Sequence, residues 1–185
     1  MFITVCGQKG GVAKTCTSIH LASVWHSQGK KVCIVDADKN RSALAYSTRG
    51  NIPFPIFPVS SAAKGTREAE IVITDGQASS DEEELRHLAY GSDLVIIPTT
   101  PKARSVELTV ELSSLLNSQK VKHAVLIVKV DSRKQKAAFQ ARAALLKFGL
   151  EVFEGFIPLL SAFDKAEASG NAVYEAVDDL GRSDP

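Results

Sequence analysis

Nine residues near the amino terminus set the limits for everything downstream. Gly7-Gln8-Lys9-Gly10-Gly11-Val12-Ala13-Lys14-Thr15 follows a short apolar run, residues 2–6, and opens a stretch of helical character. Strand, glycine-rich turn and helix start, in that order, form the setting of a phosphate-binding loop. The glycines let the backbone wrap an anion with no Cβ in the way. The N–H groups of the turn and of the first helical turn then point at the phosphates. Lys14 is spaced to reach the terminal phosphates, and the Thr15 hydroxyl to ligate Mg²⁺. Gly7 through Cys16 is therefore the expected nucleotide-lining segment. Two details depart from the plain pattern G-x-x-x-x-G-K-[ST]. Ala13 stands in place of the last glycine, the smallest possible change. Lys9 adds a second lysine, placed to project outward toward a phosphate held by another subunit. The competing reading is a glycine-rich turn that binds nothing; position, spacing and both lysines speak against it.

Two further stretches carry carboxylates where such a loop needs them. Residues 31–36 are a nearly continuous apolar run, of the kind buried on both faces of a parallel sheet, and end in Asp36-Ala37-Asp38. Residues 71–76 repeat the arrangement and bring Asp75 to a strand end. Ligands of open α/β sheets bind at the carboxyl ends of strands. Either of the first two aspartates has an alternative use, capping a helix over residues 41–46. Strands and helices alternate along the whole chain: strands over residues 92–98, 122–130 and 152–157, helices over 14–28, 81–90, 102–117, 132–148 and 162–169. That alternation predicts an α/β fold, a doubly wound, mostly parallel sheet with helices on both faces. The proline-rich residues 51–58 predict an extended edge segment rather than a helix.

Lys9-Gly-Gly-Val-Ala-Lys14-Thr15 resembles the deviant Walker A box of the ParA/MinD family of ATPases. Ser92-Asp-Leu-Val-Ile-Ile-Pro-Thr-Thr-Pro101 resembles the matching stretch of small plasmid ParA proteins. The likeness spans most of the chain and is nearest to partition ATPases without an N-terminal helix-turn-helix. It implies ATP and ADP as ligands with Mg²⁺, and a homodimer formed with ATP in which Lys9 crosses to the partner's nucleotide. Asp36 and Asp38 match the family's A′ or switch I motif, with Lys39-Asn40 in place of its usual Pro-Gln. On that match Asp38 lies near the attacking water, and Asp36 assists Mg²⁺ through water. Asp75 matches the Walker B aspartate, with Gln77 as a weaker candidate for the γ-phosphate or the partner. Lys129, Asp131 and Pro158 occupy the places from which the family approaches the base. The resemblance further implies non-specific DNA binding, a centromere-binding ParB-type partner, and a cytoplasmic, nucleoid-associated protein. Arg133, Lys134, Lys136 and Arg142 are the candidate DNA contacts, against the alternative of a solvated basic face.

At 185 residues the chain fits one domain, 1–185. Its net charge of +1 announces no global affinity for nucleic acid, although a local patch doubled by dimerisation remains compatible with it. No run approaches the roughly 20 apolar residues of a membrane span. The start shows no basic segment or cleavage site, so no signal peptide is expected. The three cysteines lack metal spacing and read as free thiols in a reducing compartment. His20 and His26 have no metal-pair spacing. A membrane-cycling relative needs a basic amphipathic C-terminal helix, whereas residues 178–185 are acidic. An ATPase that positions a protein cargo, and a metabolic P-loop ligase or kinase acting on a small molecule, are the remaining alternatives.

Overall fold

The structure is a computed structural model that describes residues 1–78 and 82–174. The elements are β1 (Phe2–Gly7), α1 (Lys14–Ser27), β2 (Val32–Ala37), α2 (Ser42–Ser47), β3 (Ile56–Pro58) and α3 (Val59–Gly65). They continue with β4 (Ile71–Ala78), α4 (Glu82–Ala89), β5 (Leu94–Thr99), α5 (Ala103–Ser118), β6 (His123–Val130), α6 (Gln135–Lys147), β7 (Val152–Pro158) and α7 (Ser161–Ser169). The strands form one seven-stranded parallel sheet in the order β3-β2-β4-β1-β5-β6-β7. This is the doubly wound α/β arrangement that the alternating pattern predicts. The chain divides into two compact units, Met1–Lys14 with Gly76–Leu159, and Thr15–Asp75 with the residues from Leu160 onward.

The first unit pairs β1 with β5, β5 with β6, and β6 with β7. One apolar cluster joins Cys6, Val95 and Ile97 to Leu85, Leu112 and Leu116. A second gathers Val125, Ile127 and Val130 under Ala138, Ala141 and Leu145 of α6. Helix α5 serves both, with Val106 and Val110 against the second cluster and Leu115 against the first. Its most buried face also carries hydroxyls that an apolar count overlooks. Ser105 pairs with Thr100 at 2.8 Å, Thr109 donates to Thr99 at 3.0 Å, and Ser113 meets His123 Nε2 at 2.6 Å. Buried polar groups are tolerated when paired in this way.

The second unit pairs β2 with β3 in parallel register, Val35 opposite Phe57. Its core includes Cys33, Val35 and Val72, with Phe57, Ala62 and Ala69 packed against them. Ile19 and Ala22 of α1 are fully buried, whereas Val24 is 45% exposed. Its position, five residues after Ile19, turns it well off that face on a 3.6-residue helix. The segment after α7 docks against α2: Tyr46 Oη donates to the Asn171 carbonyl at 2.8 Å. Gly170 ends α7 at φ 65°, and a Cβ there would collide with the Gly50 backbone nitrogen.

Two local expectations need correction. β4 runs on to Ala78, beyond the expected strand over residues 71–76, so Gln77 lies in the strand. Residues 132–148 are not one helix: a 3-10 turn, Ser132–Lys134, is capped by Asp131 and α6 begins only at Gln135. α3 starts at Val59, directly after the extended Pro58. The expected loop residues Ser79 and Ser80, the acidic Asp81 and the acidic tail lie outside the described residues.

Candidate functional site

The first unit supplies the loop. β1 ends at Gly7, and the chain then turns through Gln8 to Ala13 before α1 begins at Lys14. Gly11 and Ala13 both hold positive φ, 74° and 59°. Ala13 thus occupies a left-handed conformation that glycine adopts freely and that costs an L-residue about 1–2 kcal/mol. The Lys14 ammonium, on a side chain only 9% exposed, donates to the Lys9 carbonyl at 3.2 Å. Lys9 itself is half-buried. Gln8 Oε1 is buried without a hydrogen-bond partner, an acceptor held inside the loop segment. A Cβ added at Gly10 would meet nothing within 4 Å, so the loop is open there. Just upstream, burial pushes the Cys6 thiol up to about 12, with the Lys14 charge opposing the shift. Cys6 is an inert thiol at neutral pH.

The second unit contains Asp36, Asp38 and Asp75. Asp75 is fully buried and accepts from Thr15 Oγ1 at 2.7 Å and Ser18 Oγ at 2.9 Å. Thr15 and Asp75, separated by sixty positions, are therefore brought together. Their oxygens are hard donors of the type Mg²⁺ takes, and that ion keeps most of its shell as water and phosphate. Among the described residues no group of three His, Cys, Asp or Glu side chains forms a protein-only cage. Asp36, 4% exposed, accepts from the backbone N–H of Asp38 at 3.0 Å and of Leu44 at 2.9 Å. Asp38 accepts from the Asn40 N–H and from Ser42 Oγ, both at 3.0 Å. Asp36 thus takes the capping role left open for it, binding the third residue of α2. Asp38 shapes the turn just before that helix.

Lys129, Asp131 and Pro158 sit at the far ends of β6 and β7. Lys129 is exposed with φ 55°, next to a register shift between Ile127 and Val130. Asp131 caps the 3-10 turn and pairs with Arg133 at 3.2 Å, and this side-chain bond holds its carboxyl below the usual range. Pro158 pairs in register with Val130. Of the four basic candidates, Arg133 is engaged with Asp131, and Arg142 donates to the Phe153 carbonyl at 3.4 Å. Lys134 and Lys136 are exposed.

Ser18 and Ser42 escape the sequence reading. Ser18 carries a faint signal, since it lies three residues after Thr15 on one helix face. His20 also has a defined job. Val173 N–H donates to its Nε2 at 3.0 Å, so Nδ1 carries the proton that meets the Cys16 carbonyl at 2.7 Å. Phe163 packs edge-on against the ring at 5.2 Å. Burial holds the His20 pKa below its ordinary 6.5, with the Cys16 bond opposing. The unfolded chain therefore binds this proton more readily, so stability rises with pH through the range below about 6.5 and levels off above it. Thermal unfolding between pH 5 and 8 should show that slope, and His20→Gln should flatten it.

A strand, a lysine-bearing loop on a helix start, and a buried aspartate bonded to the following threonine define a P-loop nucleotide-binding protein. The chain belongs to the CobQ/CobB/MinD/ParA nucleotide binding domain family, whose model matches residues 3–173. It is 26% identical over 181 residues to maintenance of carboxysome distribution protein A of Gloeobacter kilaueensis, covering 94% of this chain and 83% of that one. It is 25% identical over 169 residues to protein ParA of Rhizobium radiobacter, covering 82% and 75%. The solved structure of apo McdA from Cyanthece superposes with a TM-score of 0.77 at 13% identity, over 93% of this chain and 91% of that one. No described helix is long and apolar enough to cross a membrane.

Proposed function

We propose that this chain is an ATP-driven dimerising switch that hydrolyses ATP with Mg²⁺ and, as the ATP dimer, binds DNA without sequence preference. The observation that carries the reading is the division of labour between two lysines in one loop. Lys14 is drawn inward onto the loop, donating to the Lys9 carbonyl, and the Lys9 ammonium would serve the facing subunit. A nucleoside triphosphate brings about four negative charges, and phosphoryl transfer to water asks for positioning and charge stabilisation more than covalent chemistry. Lys14 and the loop amides would hold the phosphates. Bound Mg²⁺, held through Thr15 and Asp75, would neutralise charge on the β/γ oxygens. Asp36 would support that region through water, and Asp38 would orient the attacking water. Lys9 from the facing subunit would complete the site as an arginine finger does, so turnover in the isolated chain would be slow. ATP would join two subunits and hydrolysis would part them.

On this reading the protein partitions plasmid or chromosomal DNA in the cytoplasm, with a ParB-type partner. Positioning of a protein assembly is the second reading. The similarity to a carboxysome-distribution protein over 94% of the chain favours it. The two share the ATP cycle and differ in cargo. The test is binding to random-sequence duplex DNA at stated salt, with ATP, ADP or no nucleotide. Binding is expected with ATP alone, and Lys9→Ala should lose both DNA binding and dimerisation while still binding nucleotide. An active monomeric Lys9→Ala protein would remove the cross-subunit role. ATP-dependent dimers that ignore DNA would move the cargo from DNA to protein.

A further inference from the structure

Gln8 is the loop residue whose side chain reaches into the fold. Its Oε1 is buried and has no hydrogen-bond partner. Flipping the amide would put Nε2 in the same place, so a buried polar atom without a partner remains either way. Such an atom costs stability unless something satisfies it. Gln8 lines a small cavity together with Thr99 at the end of β5 and Ser105 and Thr109 of α5, all within the first unit. The cavity measures about 10 Å³, close to the space that one water needs. Cavities of that size stay dry when they are apolar, but this one has hydroxyls in its wall.

Thr99 brings the matching group. It is 1% exposed, and its Oγ1 accepts from Thr109 Oγ1 at 3.0 Å. That bond uses the Thr109 proton and leaves the Thr99 proton for another acceptor. The cavity therefore has an acceptor in Gln8 and a donor in Thr99, with room for one water between them.

We propose that one ordered water bridges Thr99 and Gln8, and that through it Gln8 is a positioning residue for the nucleotide loop. The water accepts the Thr99 proton and donates one of its own to Gln8 Oε1. Gln8 directly precedes Lys9, whose carbonyl accepts from the Lys14 ammonium at 3.2 Å. Tying the Gln8 side chain to β5 fixes the peptide that follows it, and with it the seat of Lys14. A loop held in place before its ligand arrives loses less freedom on binding. Lys14 and the loop amides touch phosphate, whereas the Gln8 side chain acts through them. The inference rests on nucleotide binding by this loop and not on dimerisation or DNA.

The test titrates the full chain with ADP and Mg²⁺ by calorimetry. Thr99→Val keeps the shape and removes the hydroxyl. Thr109 retains the Ser105 carbonyl as an acceptor at 2.8 Å, so this change strands no other donor. ADP affinity should fall about three- to tenfold, the scale of one hydrogen bond. Thr99→Ser restores the hydroxyl and drops a methyl, and should bind ADP as the parent does. A packing role would reverse that order, because serine leaves a void and valine does not. Gln8→Met keeps the length without the amide and should cost the same factor as Thr99→Val. The double variant Gln8→Met/Thr99→Val should bind no more weakly than either single one, since all three lose the same bridge. The water itself is read by NMR in the parent protein, as cross-relaxation from a long-lived water to the Thr99 or Gln8 amide protons, and should vanish in Thr99→Val. No such signal in the parent, or parental ADP affinity in Thr99→Val, overturns the proposal. Parental ADP affinity in Lys14→Ala would instead remove the loop assignment, and this proposal with it.

Discussion

Lys14→Ala is expected to weaken ADP and ATP binding by at least a hundredfold. The ammonium is the one loop cation that the structure already holds inward, on the Lys9 carbonyl. Hydrogen bonds to charged groups contribute about 1.5–3 kcal/mol each, and two or more phosphate oxygens would be lost at once. Stability without ligand should change little. A nearly buried ammonium carries a desolvation cost that works against its hydrogen bonding, so alanine removes a cost along with a bond. The Cys6 thiol should become still harder to ionise, because Lys14 is the charge that opposes its burial. Calorimetric titration with ADP checks the first point and thermal unfolding the second. Ordinary affinity in a folded Lys14→Ala protein would end the phosphate-loop assignment.

Asp75→Asn is expected to uncouple nucleotide binding from Mg²⁺. The asparagine matches the side chain it replaces in size and keeps one acceptor oxygen, so the fold should persist. Two properties change. The full negative charge is lost, and one of the two oxygens that accept from Thr15 and Ser18 becomes an N–H donor. The Thr15 hydroxyl then loses its fixed orientation as well as its anionic neighbour. Titrations with ADP, with and without Mg²⁺, should give the same affinity in the variant and different affinities in the parent. Turnover should fall by about 10²–10³-fold, the scale on which losing one preorganised electrostatic group acts. A variant that hydrolyses at the parental rate would place the metal-supporting carboxylate elsewhere. Ser18→Ala should show a smaller effect in the same direction, since it leaves the Asp75 charge in place.

The loop and the strands were legible because their constraints are local. Glycines, a lysine and a threonine at fixed offsets after an apolar run need no distant partner to be read, and continuous runs such as residues 32–35 announce burial on both faces of a sheet. What escaped depends on tertiary partners. Ser18 acquires meaning only through Asp75, 57 positions away, and His20 only through Val173, 153 positions away. The buried hydroxyls of α5 gain their partners only once Thr99, Thr100 and His123 are placed against them. Ala13 shows a different limit. In composition it is a minimal change from glycine, yet its φ of 59° puts it where the missing Cβ matters most. Asp36 was read two ways, and the structure binds it to the backbone of α2 without removing it from the strand end where a ligand would meet it.

The bonds from Tyr46 to Asn171 and from Val173 to His20 also bear on how the chain is made. They tie residues translated early to residues 125 and 153 positions further on. The unit that holds Asp36 and Asp75 is therefore completed only after the intervening unit, Gly76–Leu159, has been synthesised. Contacts of such long sequence separation are slow to form. While the ribosome works through the intervening residues, Tyr46 and His20 wait without their final neighbours, and the unit that holds the aspartates settles late. A nascent chain stopped before residue 170 should carry the phosphate loop but leave the aspartates on an unfinished scaffold, which makes the carboxyl-terminal turn a late checkpoint on nucleotide binding.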